Sequence, residues 1–410
     1  MSATDRAAPA GATPRPSPLT RKGRVVFGLA LLVAFAGRLF YLAHVVPMPV
    51  QSDASGYDAA ARRLMATGTY AFPVGRDLWA NDVFREDAWV AFENMPPNAW
   101  CMPGYTWFLA GVYRITGTGP ERFAAVRLVQ AFLGMLTVAL LFGVADSLLG
   151  RRAAWLALVL AAAYPPSIWS TQYLLTETLF TLLLAGQLAL MVWAARSRRV
   201  LAYGLLGLAT AAAIYVRPVA LFVPGLLLAL EVWRWLRAPS WRVALGRPML
   251  RFALVGFVIA GLMAPWWIRN QRIYGVFLPT VSTAELPIVR GELFVRGQAF
   301  HYETTAQFAL PSTTGNDDHR YAQATAASIR ELLPPASPSE WAGIQIVKTR
   351  MLASALATPF TFFSYPVAVP SPGFAMQVAL LALALLGLWR LRRDALTVVL
   401  LGGLAAYFAA

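Results

Sequence analysis

Seven charged residues lie next to apolar segments of this sequence, where an unpaired charge costs roughly 2.5–3.5 kcal/mol or more. They are Arg38, Asp53, Asp58, Arg127, Glu177, Arg217 and Arg269. A carboxylate in such a position can take the proton from an acceptor hydroxyl as a general base. A guanidinium there binds a phosphate through two parallel hydrogen bonds. The set therefore predicts a site that serves a hydroxyl acceptor and an anionic partner.

Asp53 is the candidate general base. It directly follows the first apolar segment and precedes an amphipathic stretch, Tyr57–Met65, so both neighbours hold it near a membrane surface. Ser55 and Asp58 fit an S-x-x-D capping box at the start of that helix. The alternative is that Asp53 only leads the chain into the helix.

Two arginines are candidate phosphate ligands. Arg217 precedes Pro218 in a turn between apolar segments, and Arg269 lies in the run Pro265–Asn270, beside Trp266 and Trp267. An anionic partner would explain both positions. The alternatives are that Arg269 anchors the chain at the membrane interface and that each arginine reaches the lipid headgroups.

A metal site is not expected. Asp317, Asp318 and His319 are adjacent in a polar stretch, which favours a solvated turn over metal ligation. The sequence contains no G-x-S-x-G, Walker or C-x-x-C motif. It therefore specifies no cofactor, while a divalent metal stays an open alternative.

The composition is that of a membrane protein. Of 410 residues, 58% are hydrophobic and 13% charged, whereas a soluble domain is about 25% charged. The net charge of +15 comes mostly from basic clusters between apolar runs. Such clusters control topology and do not indicate nucleic-acid binding. The single cysteine, Cys101, excludes an internal disulfide.

The apolar runs predict an all-α polytopic protein with about nine transmembrane helices. They cover residues 25–46, 123–149, 153–170, 174–195, 200–216, 219–236, 252–268, 374–389 and 395–410. With the N-terminus in the cytoplasm, every cluster of arginines between these runs falls on the cytoplasmic side, as the positive-inside rule requires. The candidate site then lies on the outer face.

This topology divides the chain into four parts. Residues 1–24 form a disordered cytoplasmic tail, and 25–268 a transmembrane core with an outer loop at 47–122. Residues 269–373 form a second outer loop, and 374–410 the last helices. We expect interfacial helices in the first outer loop, at Tyr57–Met65 and Pro103–Ile115, and another at Glu340–Leu356.

Four local patterns, in order, resemble the C-type glycosyltransferase superfamily, most of all the bacterial branch related to protein O-mannosyltransferases and aminoarabinose transferases. The patterns are Arg38 with Asp53 and Tyr57; Pro103-Gly104-Tyr105 leading to Arg127-Leu128-Val129-Gln130; Tyr164-Pro165-Pro166 with Thr176-Glu177; and Arg217-Pro218 with Pro265-Trp266-x-x-Arg269-Asn270. Together they span residues 25–295. Each pattern is weak alone, but their order and spacing make the set specific.

The resemblance implies transfer of a sugar from a polyprenyl-phosphate donor to a lipid, glycan or protein acceptor. It implies that Asp53 is the base and that Arg269 binds the carrier phosphate. Arg217 is the second candidate phosphate ligand, from its position beside Pro218. Tyr57, Asp58, Arg127, Glu177 and Asn270 are expected to support them. The expected location is the bacterial inner membrane.

One departure from the family concerns the stretch before Pro103, where a basic residue is usual and Trp100, Cys101 and Met102 stand here. Arg85, Arg217 or Lys348 is the candidate substitute. A membrane permease or flippase is the main rival function, and a lipid-carbohydrate ligase is another. The sugar and the acceptor cannot be read from the sequence.

Overall fold

The computed structural model describes residues 18–45, 47, 49–51, 53–73, 86–237, 246–283, 337–340, 342–343, 382–392 and 394–405. These residues contain helices and turns and no strand. The helices are α1 Arg21–His44, α2 Asp53–Thr67, α3 Glu86–Glu93, α4 Gly104–Thr116, α5 Arg122–Leu149, α6 Arg151–Ala163, α7 Pro165–Trp169, α8 Glu177–Ser197, α9 Val200–Val216, α10 Gly225–Leu236, α11 Gly246–Tyr274 and α12 Ala395–Ala405. The predicted all-α fold is therefore confirmed.

Five segments of the described chain are long and apolar enough to cross a membrane. They are Arg21–His44, Arg122–Leu149, Glu177–Ser197, Pro218–Leu236 and Pro248–Tyr274. Each corresponds to a predicted span. The predicted span at 200–216 is a shorter apolar helix, α9. Residues 382–390 are helical and overlap the second half of the predicted span at 374–389. Residues 374–381 and 406–410 lie outside the described part of the chain.

The predicted span at 153–170 is not one straight helix. It divides into α6 and the segment Pro165–Gln172, and the two parts meet at an angle of 52°. Pro165 and Pro166 cause the break, because proline has no backbone N–H and disfavours helical geometry in the residue before it. Tyr164 accordingly has an extended backbone, with φ −68° and ψ 109°.

Helices are present at two of the three stretches predicted as interfacial helices, as α2 and α4. Most of the third, Glu340–Leu356, lies outside the described residues. The capping box predicted at Ser55 is wrong, because α2 already begins at Asp53 and both Ser55 and Asp58 are buried within it. Helix α4 starts at Gly104 against the end of α9. A Cβ on Gly104 would lie 2.5 Å from the carbonyl oxygen of Tyr215, so only glycine permits this approach.

Three buried clusters hold the bundle together. Residues such as Met191, Leu206 and Leu230 join α8, α9, α10 and α11. A second cluster, around Ile214 and Trp266, packs α9 and α11 against α2 and the residues before α4. A third cluster packs α2 and α4 on α5 and the start of α8. The last two clusters fix the end of the bundle that carries the candidate site.

Candidate active site

Asp53 is the first residue of α2, and its carboxylate has no hydrogen-bond or ion-pair partner among the described residues. Although the side chain is exposed to solvent, surrounding protein displaces part of the water that would stabilise its charge. This desolvation raises the pKa of the Asp53 carboxyl, the negative charge of Glu177 raises it further, and Arg217 opposes the shift. Asp53 is thus an accessible carboxylate with increased proton affinity.

Glu177 and Arg217 form an ion pair close to Asp53. Glu177 begins α8, and Arg217 follows the last residue of α9. One terminal nitrogen of Arg217 donates to Glu177 Oε1, while Nε donates to Thr176 Oγ1 at 2.7 Å. The guanidinium also lies 5.6 Å from the centre of the Phe180 ring. Both partners remain partly exposed, and the charges of both act on Asp53.

Tyr57 and Cys101 line the site beside Asp53. The Tyr57 ring makes edge contacts with Phe72 and Tyr105, at centroid distances of 5.2 and 5.1 Å. Burial raises the pKa of the Cys101 thiol to about 12; the charge of Asp53 adds to this shift, and a hydrogen bond with Tyr57 opposes it. Cys101 is therefore a neutral thiol at pH 7.

Arg269 joins α11 to the first loop. It donates to the Tyr70 and Asn98 carbonyl oxygens at 2.8 and 2.9 Å and to Asn270 Oδ1 at 3.0 Å. Its guanidinium lies 4.8 Å from the centre of the Trp266 ring. The Tyr70 hydroxyl in turn donates to the carbonyl of Cys101. These contacts fix the orientation of the Arg269 guanidinium beside Tyr70, which itself binds Cys101.

Asn270 holds the segment that follows α11. It is fully buried, and its Nδ2 lies 3.3 and 3.4 Å from the carbonyl oxygens of Leu278 and Thr280. The same segment covers the residues before α4, because the Ser282 amide donates to the Ala99 carbonyl at 2.9 Å. Asn270 thus fixes the segment after α11 against the residues before α4, next to Arg269.

Asp58 is fully buried and is held by partners on three helices. Its buried carboxylate accepts hydrogen bonds from Tyr113 at 2.8 Å, from Arg122 at 2.8 and 3.0 Å and from Arg62 at 3.1 Å. These four bonds occupy both oxygens. Asp58 therefore joins α2 to α4 and α5, and its contacts are those of a structural residue.

Arg127 contacts the segment that precedes α8. Its Nε donates to the Gln172 carbonyl at 3.0 Å, in the segment that connects the bent span to α8. Arg38, another of the charged residues, is fully buried and donates to Ala34 and Ser167. Both arginines hold backbone or side chains of neighbouring helices.

Three residues at or behind the site were missed by the sequence reasoning. Thr176 accepts the Arg217 hydrogen bond, Cys101 lies beside Asp53 and Tyr57, and Gln130 binds the segment before α8. Uncharged residues give little signal in an apolar sequence. The polar Gln130 inside a predicted span was the one detectable sign, because a buried amide in a membrane segment needs partners.

No group of three or more potential metal ligands occurs among the described residues. Asp317–His319, Arg85 and Lys348 lie outside that part of the chain. Asp53 and Glu177 together offer two carboxylates, and the positive Arg217 pairs with one of them. The described site thus contains cationic and carboxylate groups suited to a phosphate and to a hydroxyl.

The helical bundle with its membrane-length helices defines a polytopic membrane protein. Residues 97–268 match the model of a family described as dolichyl-phosphate-mannose-protein mannosyltransferase. This match confirms the resemblance to the C-type glycosyltransferase superfamily. The matched segment contains Cys101, Arg127, Glu177 and Arg217, and it ends one residue before Arg269.

Two solved structures are similar to the chain. One is ArnT from Cupriavidus metallidurans bound to undecaprenyl phosphate, at 19% identity and TM-score 0.44, covering 95% of this chain and 76% of that chain. The other is the same protein in the apo state, at 18% identity and TM-score 0.42, covering 94% and 75%. No curated protein sequence matches this chain.

Proposed function

We propose that this protein is a glycosyltransferase that moves a sugar from a polyprenyl-phosphate carrier to an acceptor hydroxyl. The observation that supports it best is the unpartnered Asp53 carboxylate beside the Glu177–Arg217 pair. The family match at residues 97–268 supports the same reaction class. The proposed location is the bacterial inner membrane, with the N-terminus in the cytoplasm and the site on the outer face.

The proposed reaction is an inverting displacement. The acceptor oxygen attacks the anomeric carbon while its proton passes to Asp53. The bond between that carbon and the phosphate oxygen breaks, and its electron pair stays on the polyprenyl phosphate. The raised pKa of Asp53 favours this role, because it increases the carboxylate's affinity for the transferred proton.

Arg217 and Arg269 are proposed to bind the phosphate as its charge increases. Arg217 is 40% exposed, and its second terminal nitrogen has no partner among the described residues. It can therefore bind a phosphate oxygen without leaving Glu177. We assign to Arg217 the phosphate contact that the family's usual basic residue before the Pro-Gly-Tyr motif would make. Arg269 is oriented for the same purpose by its contacts with Tyr70 and Asn98.

A permease or flippase is the second candidate, and the bent span favours it. Transporters often bind substrates where a spanning helix is interrupted. Here the carbonyl at the break, that of Tyr164, accepts from Ser167 and Ile168. The carbonyls of Thr171 and Gln172 at the end of the bent segment accept from Gln130 and Arg127. Because protein donors satisfy these carbonyls, the break has a structural explanation without a transported substrate.

A reconstituted assay tests the proposal. Purified protein in liposomes is given a radiolabelled polyprenyl-phosphate sugar and mixed membrane acceptors. The label in the acceptor and in the donor is then measured on each side of the liposome bilayer. We expect label in the acceptor with wild-type protein and none with Asp53→Asn. Movement of the donor across the bilayer without transfer would instead support the permease.

A further inference from the structure

The bent segment Pro165–Gln172 is held from two sides by neighbouring helices. From α1, Arg38 donates to Ser167 Oγ at 3.1 Å, and the Tyr41 hydroxyl accepts from Gln172 Nε2 at 2.6 Å. From α5, Arg127 donates to the Gln172 carbonyl. The last carbonyls of a helix have no intrahelical donors, and the Gln172 carbonyl at the end of this segment receives one from Arg127.

Gln130 is the central residue of this arrangement. Its side chain is fully buried in α5. The two N–H groups of Nε2 donate to the carbonyl oxygens of Thr171 and Tyr173, at 3.0 and 2.7 Å. Its Oε1 accepts from the Tyr105 hydroxyl at 2.9 Å. One neutral amide thus binds the last part of the bent segment and the residue that follows it, and joins both to α4.

The residues bound by Gln130 lead directly into the site. Thr176 follows Tyr173 by three residues, and its hydroxyl accepts the hydrogen bond from Arg217. Thr178 Oγ1 lies 3.3 Å from the carbonyl oxygen of Ser170, which ties the start of α8 back to the same segment. The positions of Thr176 and Glu177 therefore depend on where residues 171–173 are held.

We infer that Gln130 is a positioning residue for the transfer reaction, which places Thr176 and Glu177 so that they orient Arg217 toward the donor phosphate. This inference rests on the proposed function in one respect, the assignment of Arg217 to the phosphate. Gln130 itself touches neither Arg217 nor Asp53. Its effect passes through the backbone carbonyls of Thr171 and Tyr173.

The kinetic test compares Gln130→Leu with Thr137→Val. Thr137 is buried on the same helix and donates to the Leu133 carbonyl, so its loss removes an α5 hydrogen bond unrelated to the bent segment. For Gln130→Leu we expect the donor KM to rise about tenfold, because a misplaced Arg217 loses about one charged hydrogen bond to the phosphate. A variant that is only less stable would lose active molecules and kcat while keeping the wild-type KM, as we expect for Thr137→Val.

A double-mutant cycle identifies the route of the effect. If Gln130 acts through Arg217, then Gln130→Leu adds little to the donor KM of Arg217→Ala. Tyr105→Phe removes one bond but keeps both carbonyl contacts, so its effect on KM should be small. If the donor KM of the double variant rises by the product of the two single effects, Gln130 does not act through Arg217 and the inference is overturned. An unchanged donor KM in Gln130→Leu would also overturn it.

Amide hydrogen exchange tests the positioning without any substrate. Peptides covering residues 170–178 should exchange faster in Gln130→Leu than in wild-type or Thr137→Val protein. Equal exchange in all three proteins would contradict the inference. A wild-type protein that transfers no sugar but shows the expected exchange pattern would instead contradict the proposed function alone.

Discussion

Arg217 and Glu177 form an ion pair in which only part of the guanidinium is used. Nε is bound by Thr176 and one terminal nitrogen by Glu177, and the other terminal nitrogen has no partner among the described residues. The acid thus orients the arginine and leaves N–H groups for a ligand. Its charge also acts on Asp53, so Glu177 affects both proposed functions, the binding of phosphate and the acceptance of a proton.

The effect of Glu177 on Asp53 predicts a pH shift. Transfer requires ionised Asp53, so the rate should fall as pH drops through its raised pKa. Glu177→Gln removes a negative charge that raises this pKa, and the acid limb should therefore move to lower pH. The measurement is kcat/KM for the acceptor against pH. Thr181→Val, one turn further along α8, keeps all charges and should retain the wild-type profile.

Asp53→Asn and Asp58→Asn, both on α2, distinguish a catalytic carboxylate from a structural one. Loss of a general base lowers the rate about 10²–10⁴-fold, so Asp53→Asn should abolish turnover with donor binding and thermal stability nearly unchanged. Asp58→Asn weakens the buried pair with Arg122 and should destabilise the fold by about 3 kcal/mol. Thermal unfolding and turnover are measured on both. More than about a tenth of wild-type activity in Asp53→Asn would reject this base.

Arg269→Ala should weaken donor binding as well as turnover, because the phosphate is anionic before and after transfer. Loss of a preorganised charge stabiliser lowers kcat about 10²–10³-fold. Arg272→Ala removes the same charge from an exposed position of α11 and serves as the control. Since Arg269 also binds the Tyr70 and Asn98 carbonyls, Arg269→Lys is included to keep the charge. Equal donor KM values for Arg269→Ala and Arg272→Ala would contradict the assignment.

Cys101 reports directly on the charge of Asp53. Only the thiolate reacts with alkylating reagents, and each unit of pKa lost gives about tenfold more of it. Asp53 contributes to the raised pKa of Cys101, about 12, so Asp53→Asn should speed its alkylation. Because Cys101 is the only cysteine in the chain, intact mass measures the rate without ambiguity. Asp58→Asn should leave it unchanged.

Membrane orientation is testable by cysteine labelling in a Cys101→Ala background. The labelled positions must be exposed, because a cysteine at a buried position such as Ser55 or Asn270 would not react with reagent on either side of the membrane. Ala66, exposed on α2, and Arg199, exposed between α8 and α9, are suitable positions. An impermeant maleimide should label Ala66→Cys in intact cells and Arg199→Cys only after lysis. The reverse pattern would invert the proposed topology.

The sequence predicted the helices well because membrane length and apolar composition impose them. It also placed Asp53, Glu177 and Arg217 in one group of seven charged residues at the ends of spans, and the structure brings these three together. It could not distinguish Asp58 from Asp53, two carboxylates five residues apart on α2. Their difference depends on Arg122 and Tyr113, which approach Asp58 only in the folded bundle.

The bend at Pro165 was missed for a related reason. Hydropathy averages over a window and continues through the two prolines, so the run appears as one span. The role of Gln130 depends on hydrogen bonds to residues 41 and 43 positions later in the sequence. A polar residue inside an apolar run indicates that partners exist, but the sequence does not say which residues they are.

The contact between Gly104 and the Tyr215 carbonyl has a consequence for mutational surveys. Alanine at Gly104 would force α4 away from α9, although glycine has no side chain that could take part in a reaction. A growth-based screen would therefore rank Gly104 with Asp53 as indispensable. Only the amount of protein recovered from membranes would separate them, with Gly104→Ala depleted and Asp53→Asn present at wild-type abundance.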